Sequence, residues 1–156
     1  MILIGFYELE AGLVRVLFVC LGNVCRSPLA QGVFEDLVRR EGFEDEIFVD
    51  SAGTGHRHIG KPPDKRAQES ARQRGLDISS LQARLIQPED CDRFDYILTM
   101  DKKNYRKVTL LYWRRSLAKP FLGFQRVATS LYRRRSVVRP FLKFAKNSLT
   151  LRANLR

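Results

Sequence analysis

At 156 residues with 44% hydrophobic composition, the chain is long enough for one globular domain with a sizeable core. No apolar run approaches the ~20 residues of a transmembrane helix, and three Cys without regular spacing give no disulfide framework. The net charge of +11 hides an asymmetry, because residues 1–101 hold 12 Lys/Arg against 17 Asp/Glu, whereas residues 102–156 hold 16 Lys/Arg and no acid.

The opening residues, Met1 to Tyr7, are apolar but lack a basic n-region, and Glu8 and Glu10 interrupt them. They do not read as a signal peptide, and the cytoplasm is the expected setting. Val14, Val16, Leu17, Phe18 and Val19 form a short run rich in β-branched residues, which predicts a buried strand. Leu29, Val33, Phe34, Leu37 and Val38 recur at three- and four-residue spacing, which predicts an amphipathic helix. Ser27 suits its N-cap and Pro28 its first position. Arg39, Arg40 and Gly42 mark its end. Ile47, Phe48 and Val49 predict a second strand with Ser51 at its carboxyl end. Pro63 is expected to open a helix running to about Arg74 and stopped by Gly75; its apolar face, Ala67 and Ala71, is weak and reads as surface. Residues 76–86 read as loop. Pro88-Glu89-Asp90 begins a helical turn, and Cys91 beside it reads as a packing residue. Residues 95–100 read as a strand, and Asp101 as the cap of a helix over residues 102–111.

The most informative stretch is Val19-Cys20-Leu21-Gly22-Asn23-Val24-Cys25-Arg26-Ser27-Pro28. It joins a strand end to a helix start, where main-chain N–H groups point outward and the helix dipole is positive. Cys20 and Arg26 bracket five residues, so the amides of Leu21, Gly22, Asn23, Val24, Cys25, Arg26 and Ser27 can wrap one tetrahedral oxyanion. Positive charge and helix-terminal amides favour a thiolate nucleophile, and Arg grips phosphate oxygens in two-pronged fashion. Gly22 permits a tight backbone and Asn23 tolerates left-handed geometry. Ser27 can donate to the thiolate. Attack of Cys20 on a phosphate ester would give a cysteinyl-phosphate that water hydrolyses. Spacing alone leaves a plain buried Cys open as well. Cys20 and Cys25 as metal ligands lack the residues to complete a zinc set, and no metal or other cofactor is expected. A permanent disulfide between them is disfavoured in a cytosolic setting.

This stretch strongly resembles the signature of low-molecular-weight protein tyrosine phosphatases. Ser51-Ala52-Gly53-Thr54, Gly60 through Pro63-Asp64-Lys65-Arg66-Ala67, and Phe94-Asp95-Tyr96-Ile97-Leu98-Thr99-Met100-Asp101 follow in the family's order. The resemblance covers roughly residues 14–108. It implies an α/β, flavodoxin-like open, mainly parallel sheet with helices on both faces. Cys20 would be the nucleophile and Arg26 the phosphate clamp. Asn23, Ser27 and Ser51 would support the loop, Ser51 by a hydrogen bond to Asn23. The substrate would be a phosphotyrosyl protein or small aryl phosphate. His56 and Arg57 would line the substrate wall; Arg57 falls where many relatives carry an aromatic residue, which weakens ring stacking there and suits acidic substrates. Arsenate reduction is the nearest enzymatic alternative, with Cys25 and Cys91 as the only further thiols. A non-catalytic phosphate-binding module with a basic arm is the other.

Residues 1–13 read as an N-terminal extension, residues 14–111 as the phosphatase-like domain, and residues 112–156 as a basic, acid-free segment with no sustained period. The family's general acid is an Asp in an Asp-Pro-aromatic loop near the C-terminus. No acidic residue follows Asp101, so hydrolysis is expected to be impaired, with Asp92 and Asp101 the only local substitutes. The fourth strand and last helix of the family are not legible, and an uncovered sheet edge is expected. A shifted reading frame accounts for both the lost acids and the lost pattern. A basic extension for nucleic acid or for an anionic membrane surface are the alternatives.

Overall fold

The computed structural model describes residues 13–118. Three parallel strands, β1 (Val14–Cys20), β2 (Ile47–Gly53) and β3 (Tyr96–Thr99), form one sheet in the order β2-β1-β3. The register pairs Val16 with Val49 and with Tyr96, and Cys20 with Gly53. Four helices join them: α1 (Arg26–Arg40), α2 (Lys65–Arg72), α3 (Asp90–Arg93) and α4 (Lys102–Ala118). β1 is central, and the chain leaves it first toward β2 on one side and later toward β3 on the other. The loop after β1 therefore lies at the carboxyl edge where the strand order reverses, the crevice in which open α/β sheets bind ligands.

β1 is apolar throughout its centre because both faces are covered. On one face Val16 and Phe18 meet Phe34 and Val38 of α1, with Ile47 and Val49 of β2 beside them. The Phe18 and Phe34 rings pack edge to face, 5.8 Å apart. On the other face Leu17, Val19 and Ala52 meet Ile86, Phe94 and Val108, the last from α4. Each such buried side chain contributes about 1.5–3 kcal/mol. This is the open, parallel α/β sheet with helices on both faces that the sequence predicts.

Three boundaries differ from the sequence reading. α1 begins at Arg26 with Cys25 as its N-cap, so Ser27 is already helical and fully buried rather than capping. Pro28 still lies in the first turn, where a missing N–H costs nothing. α2 begins at Lys65, capped by Asp64, whose side chain accepts from the Arg66 N–H. Its Ala67 and Ala71 are buried against Ile78, with Leu29 of α1 alongside, so it is not a surface helix; two small side chains suffice because they let the backbones approach. α4 does not stop at 111 but runs to Ala118, across the boundary expected between domain and basic segment. Most of the extension, the basic segment beyond residue 118 with its partners, and the fourth strand and last helix lie outside the described residues. Among the described residues no helix is long and apolar enough to cross a membrane.

α1 and the residues after α2 meet at Gly32, where an added Cβ would lie 2.5 Å from Ile78 Cγ2. Gly32→Ala improves helix propensity by ~1 kcal/mol but overpacks a buried β-branched side chain at a cost of ~1–3 kcal/mol. The variant is expected to be less stable in urea denaturation, and Ile78→Ala in the same chain to remove the clash.

Candidate active site

Residues 21–25 leave the end of β1 and turn directly into α1. The turn is pinned to the neighbouring β2 end: the Thr54 N–H donates to Cys20 O (2.9 Å) and the Gly55 N–H to Leu21 O (2.8 Å). Gly53 must be glycine-sized, since a Cβ there would lie 3.0 Å from Leu21 O and 3.2 Å from Asn23 N. Asn23 takes the left-handed conformation at φ 54°, which reverses the chain so that its own N–H points back at Cys20 Sγ (3.2 Å).

The Asn23 side chain holds that reversal. Its Nδ2 donates to Ser27 Oγ (2.9 Å) and Ser51 Oγ (2.8 Å), and its Oδ1 accepts from the Arg84 N–H (2.8 Å). Both polar atoms of the side chain have partners, which offsets its near-complete burial. Ser27 Oγ in turn donates to Cys20 Sγ (3.1 Å). Two donors thus converge on a buried sulfur from opposite sides of the loop. Donors aimed at a sulfur in this way suit it to carry negative charge when it acts as a nucleophile. Cys25 contrasts with it: burial pushes its thiol up, and Asp64 and Cys20 add to the effect. Cys25 is therefore kept as a protonated, poor nucleophile, which weighs against its use as a redox relay.

Among the described residues no acceptor within the protein takes the main-chain N–H of Leu21, Gly22, Val24, Cys25, Arg26 or Ser27. Free amides on a strand-to-helix turn suit a bound oxyanion. Arg26 stands beside them, half exposed, with Nη1 donating to Asp101 Oδ2 at 2.7 Å. Asp101 also caps α4, accepting from the Asn104 N–H (2.8 Å). That cap bond first, and the Arg26 guanidinium second, hold its carboxyl below the usual carboxylate range. Among the described residues no cluster of three or more His, Cys, Asp or Glu is assembled that could hold a metal ion.

The segment after Gly55 approaches the loop from the β2 side. His56 and Arg57 are both exposed. The residue against the loop is His58, whose Cδ2 would lie 3.1 Å from a Cβ on Gly22. Sequence reasoning also missed Arg84. Its N–H fixes Asn23, while its guanidinium bridges Asp50 (2.8 Å) and Asp90 (2.8 Å). A main-chain donor carries no residue identity, so no motif signalled it. Gln31 was missed as well; it bonds Ser51 and Glu35 from within α1.

The open parallel sheet with a Cys-X5-Arg loop at its switch point defines the class as an α/β domain of the doubly wound type. The profile of the low molecular weight phosphotyrosine protein phosphatase family matches residues 15–128, further toward the C-terminus than the motifs alone reach. The chain belongs to that family. It is 48% identical over 92 residues to the low molecular weight protein-tyrosine-phosphatase YfkJ of Bacillus subtilis, which covers 59% of each chain. It is 48% identical over 97 residues to the low molecular weight phosphotyrosine protein phosphatase of Mus musculus, covering 62% of this chain and 61% of that one. The crystal structure of YfkJ superimposes with a TM-score of 0.65 at 41% identity, over 69% of this chain and 67% of that one. The chain spans about three-fifths of the length of the curated relatives it matches, 59% and 61% for these two.

Two predictions follow from Asn23 and Asp101. Asn23→Ala keeps a Cβ in the left-handed region, at about 1–2 kcal/mol, and strips buried partners of their bonds, at about 1–3 kcal/mol. Asn23→Gly removes only the bonds, so it is expected to lie above Asn23→Ala in stability by roughly the strain alone when both are unfolded in urea. Asp101 has a folded-state carboxyl below its unfolded value, so its contribution is complete above the ordinary carboxylate range and lost as pH falls through the lowered folded value. The Asn104 amide resonance is expected to keep its neutral-pH shift into mildly acid solution and to move only below that range.

Proposed function

We propose that this chain hydrolyses phosphate monoesters of phenols, phosphotyrosyl proteins or small aryl phosphates, with Cys20 as nucleophile. The observation that carries the reading is the convergence of the Ser27 hydroxyl and the Asn23 N–H on Cys20 Sγ, next to unclaimed amides and a guanidinium. The thiolate attacks phosphorus, the P–O bond to the aryl group breaks, and the phenolate leaves with the bonding electrons. Water then attacks the cysteinyl-phosphate, regenerating the thiolate and releasing inorganic phosphate. Donors fixed in place before reaction stabilise the charge that spreads over the equatorial oxygens. Arg26 supplies the paired N–H groups for two of them, swinging from or sharing with Asp101. Leu21, 54% exposed at the rim, and His58 flank the entry for the aryl group.

The proposal includes a limit on turnover. No acid follows Asp101 in the chain, and Asp101 itself is held ionised by its cap bond and by Arg26. It is therefore a poor proton donor to a leaving phenolate. General acid catalysis contributes roughly 10²–10⁴-fold, so the deficit falls on substrates whose leaving group needs a proton. Phosphate release from 4-nitrophenyl phosphate is expected to continue in EDTA and to vanish in Cys20→Ser. Turnover of a phosphotyrosyl peptide is expected to be slower by about 10²-fold or more. Equal turnover of both, still dependent on Cys20, overturns the impairment; release that persists in Cys20→Ser overturns the mechanism.

A further inference from the structure

The hydrogen-bond chain that ends on Cys20 does not begin at Ser51. Gln31, on the buried face of α1, donates from Nε2 to Glu35 Oε1 (2.8 Å) and accepts at Oε1 from Ser51 Oγ (2.7 Å). Burial first, and Asp50 as well, push the Glu35 carboxyl up, while the Gln31 hydrogen bond opposes them; with Glu35 ionised it only accepts, so the amide NH₂ faces Glu35 and the amide oxygen faces Ser51. Ser51 has one hydrogen, and Gln31 takes it. The Ser51 oxygen is then left to accept from Asn23 Nδ2. Asn23 spends its second Nδ2 hydrogen on Ser27 Oγ, and Ser27 has its own hydrogen left for Cys20 Sγ. The Arg84 N–H on Asn23 Oδ1 opposes reversal of the Asn23 amide. The direction of the relay is set from two sides, by Gln31 at its α1 end and by the Arg84 N–H at Asn23, and its last hydrogen has Cys20 Sγ at 3.1 Å as the nearer acceptor, with Ala52 O at 3.4 Å.

We propose that Gln31 is a positioning residue for the nucleophile: through Ser51 and Asn23 it fixes the polarity of the relay so that its last hydrogen points at the Cys20 sulfur. Gln31, Ser51, Asn23, Ser27 and Cys20 are all buried, between 0% and 6% exposed, so little bulk water reaches the relay to replace a lost member. Hydrogen bonds in such a chain polarise one another, by about 10–30% per bond, and the benefit is delivered to the thiolate, the only member that gains charge. Without Gln31 the Ser51 hydroxyl loses the acceptor that orients it, and the relay loses its fixed direction. The inference deepens the proposed Cys20 mechanism, but its test does not depend on turnover.

The test is the pH profile of iodoacetate alkylation at Cys20 in the full chain, read by peptide mass mapping so that Cys25 and Cys91 are counted separately. Gln31→Met keeps the length of the side chain and removes both bonds; Gln31→Leu serves if the first variant does not fold. The midpoint of the profile is expected to rise by ~0.5 unit or more, with the rate at high pH unchanged. Ser51→Ala is expected to raise it as well, and Gln31→Met in the Ser51→Ala background to raise it no further. A Gln31→Met profile that overlays the parent overturns the proposal. So does a shift that adds in full to that of Ser51→Ala, since Gln31 would then act by another route. If the parent alkylates normally but releases no phosphate, the hydrolase reading fails and the positioning role stands.

Discussion

The structure around the site depends on one constraint: the left-handed turn at Asn23 and the side-chain amide that holds it. At φ 54° the backbone reverses within the loop, which turns the Asn23 N–H toward the sulfur and leaves the other loop amides facing outward. Only a residue that tolerates this region and also bonds on three sides satisfies both demands. Glycine meets the first alone, and an apolar residue meets neither. The same amide ties together β2 through Ser51, α1 through Ser27, and the segment before Leu85 through the Arg84 N–H. Disturbing any of those three elements therefore reaches the nucleophile.

That dependence explains how the sheet serves the chemistry. β1 is central, so its carboxyl end has β2 on one side and β3 on the other. β2 contributes Ser51 and the tight approach at Gly53; the end of β3 leads into Asp101 and Arg26's ion pair. α1 contributes through its first three turns, with its open first-turn amides at the loop and Gln31 and Glu35 further in. The guanidinium of Arg84, between Asp50 and Asp90 and near the Phe94 ring, fixes the strand-like residue whose N–H meets Asn23. These groups come from stretches far apart in the chain, which makes the loop geometry a property of the fold rather than of the loop.

What was legible in the sequence follows from this division. The strand, the loop and the first helix are local patterns: an apolar run, a turn with Gly22 and Asn23, and a three-to-four-residue apolar repeat. Their order placed Cys20 and Arg26 at one end of a strand before any coordinates. The Ser51–Asn23 bond was available only through family resemblance, because no local rule joins residues 28 apart. Arg84 was out of reach, since its contribution to Asn23 is a main-chain N–H. Gln31 read as an ordinary polar helix residue, because its role depends on the face β2 presents to it. Ala67 and Ala71 misled for the opposite reason: weak apolarity suggested surface, whereas small size lets α2 approach Ile78 closely.

The division also separates capture of a phosphate from its turnover. Among the described residues, the side-chain relay that holds the loop, from Glu35 through Gln31, Ser51, Asn23 and Ser27 to Cys20, lies within residues 20–51, with the main chain of Thr54, Gly55 and Arg84 and the Asp101 carboxylate completing the frame. From the acid-free part of the chain after Asp101, buried Asn104 supports the frame, giving its N–H to Asp101 and accepting from the Thr54 hydroxyl. Under the proposed hydrolysis, holding the phosphate draws on this frame, whereas proton delivery to a departing phenolate is a second role, for which Asp101 is the acid beside Arg26. Asp101 cannot fill both roles, because the bonds that make it a cap and a partner for Arg26 are the same bonds that keep its proton off. On the proposed mechanism, such a site is best matched to a leaving group that is itself stable as an anion.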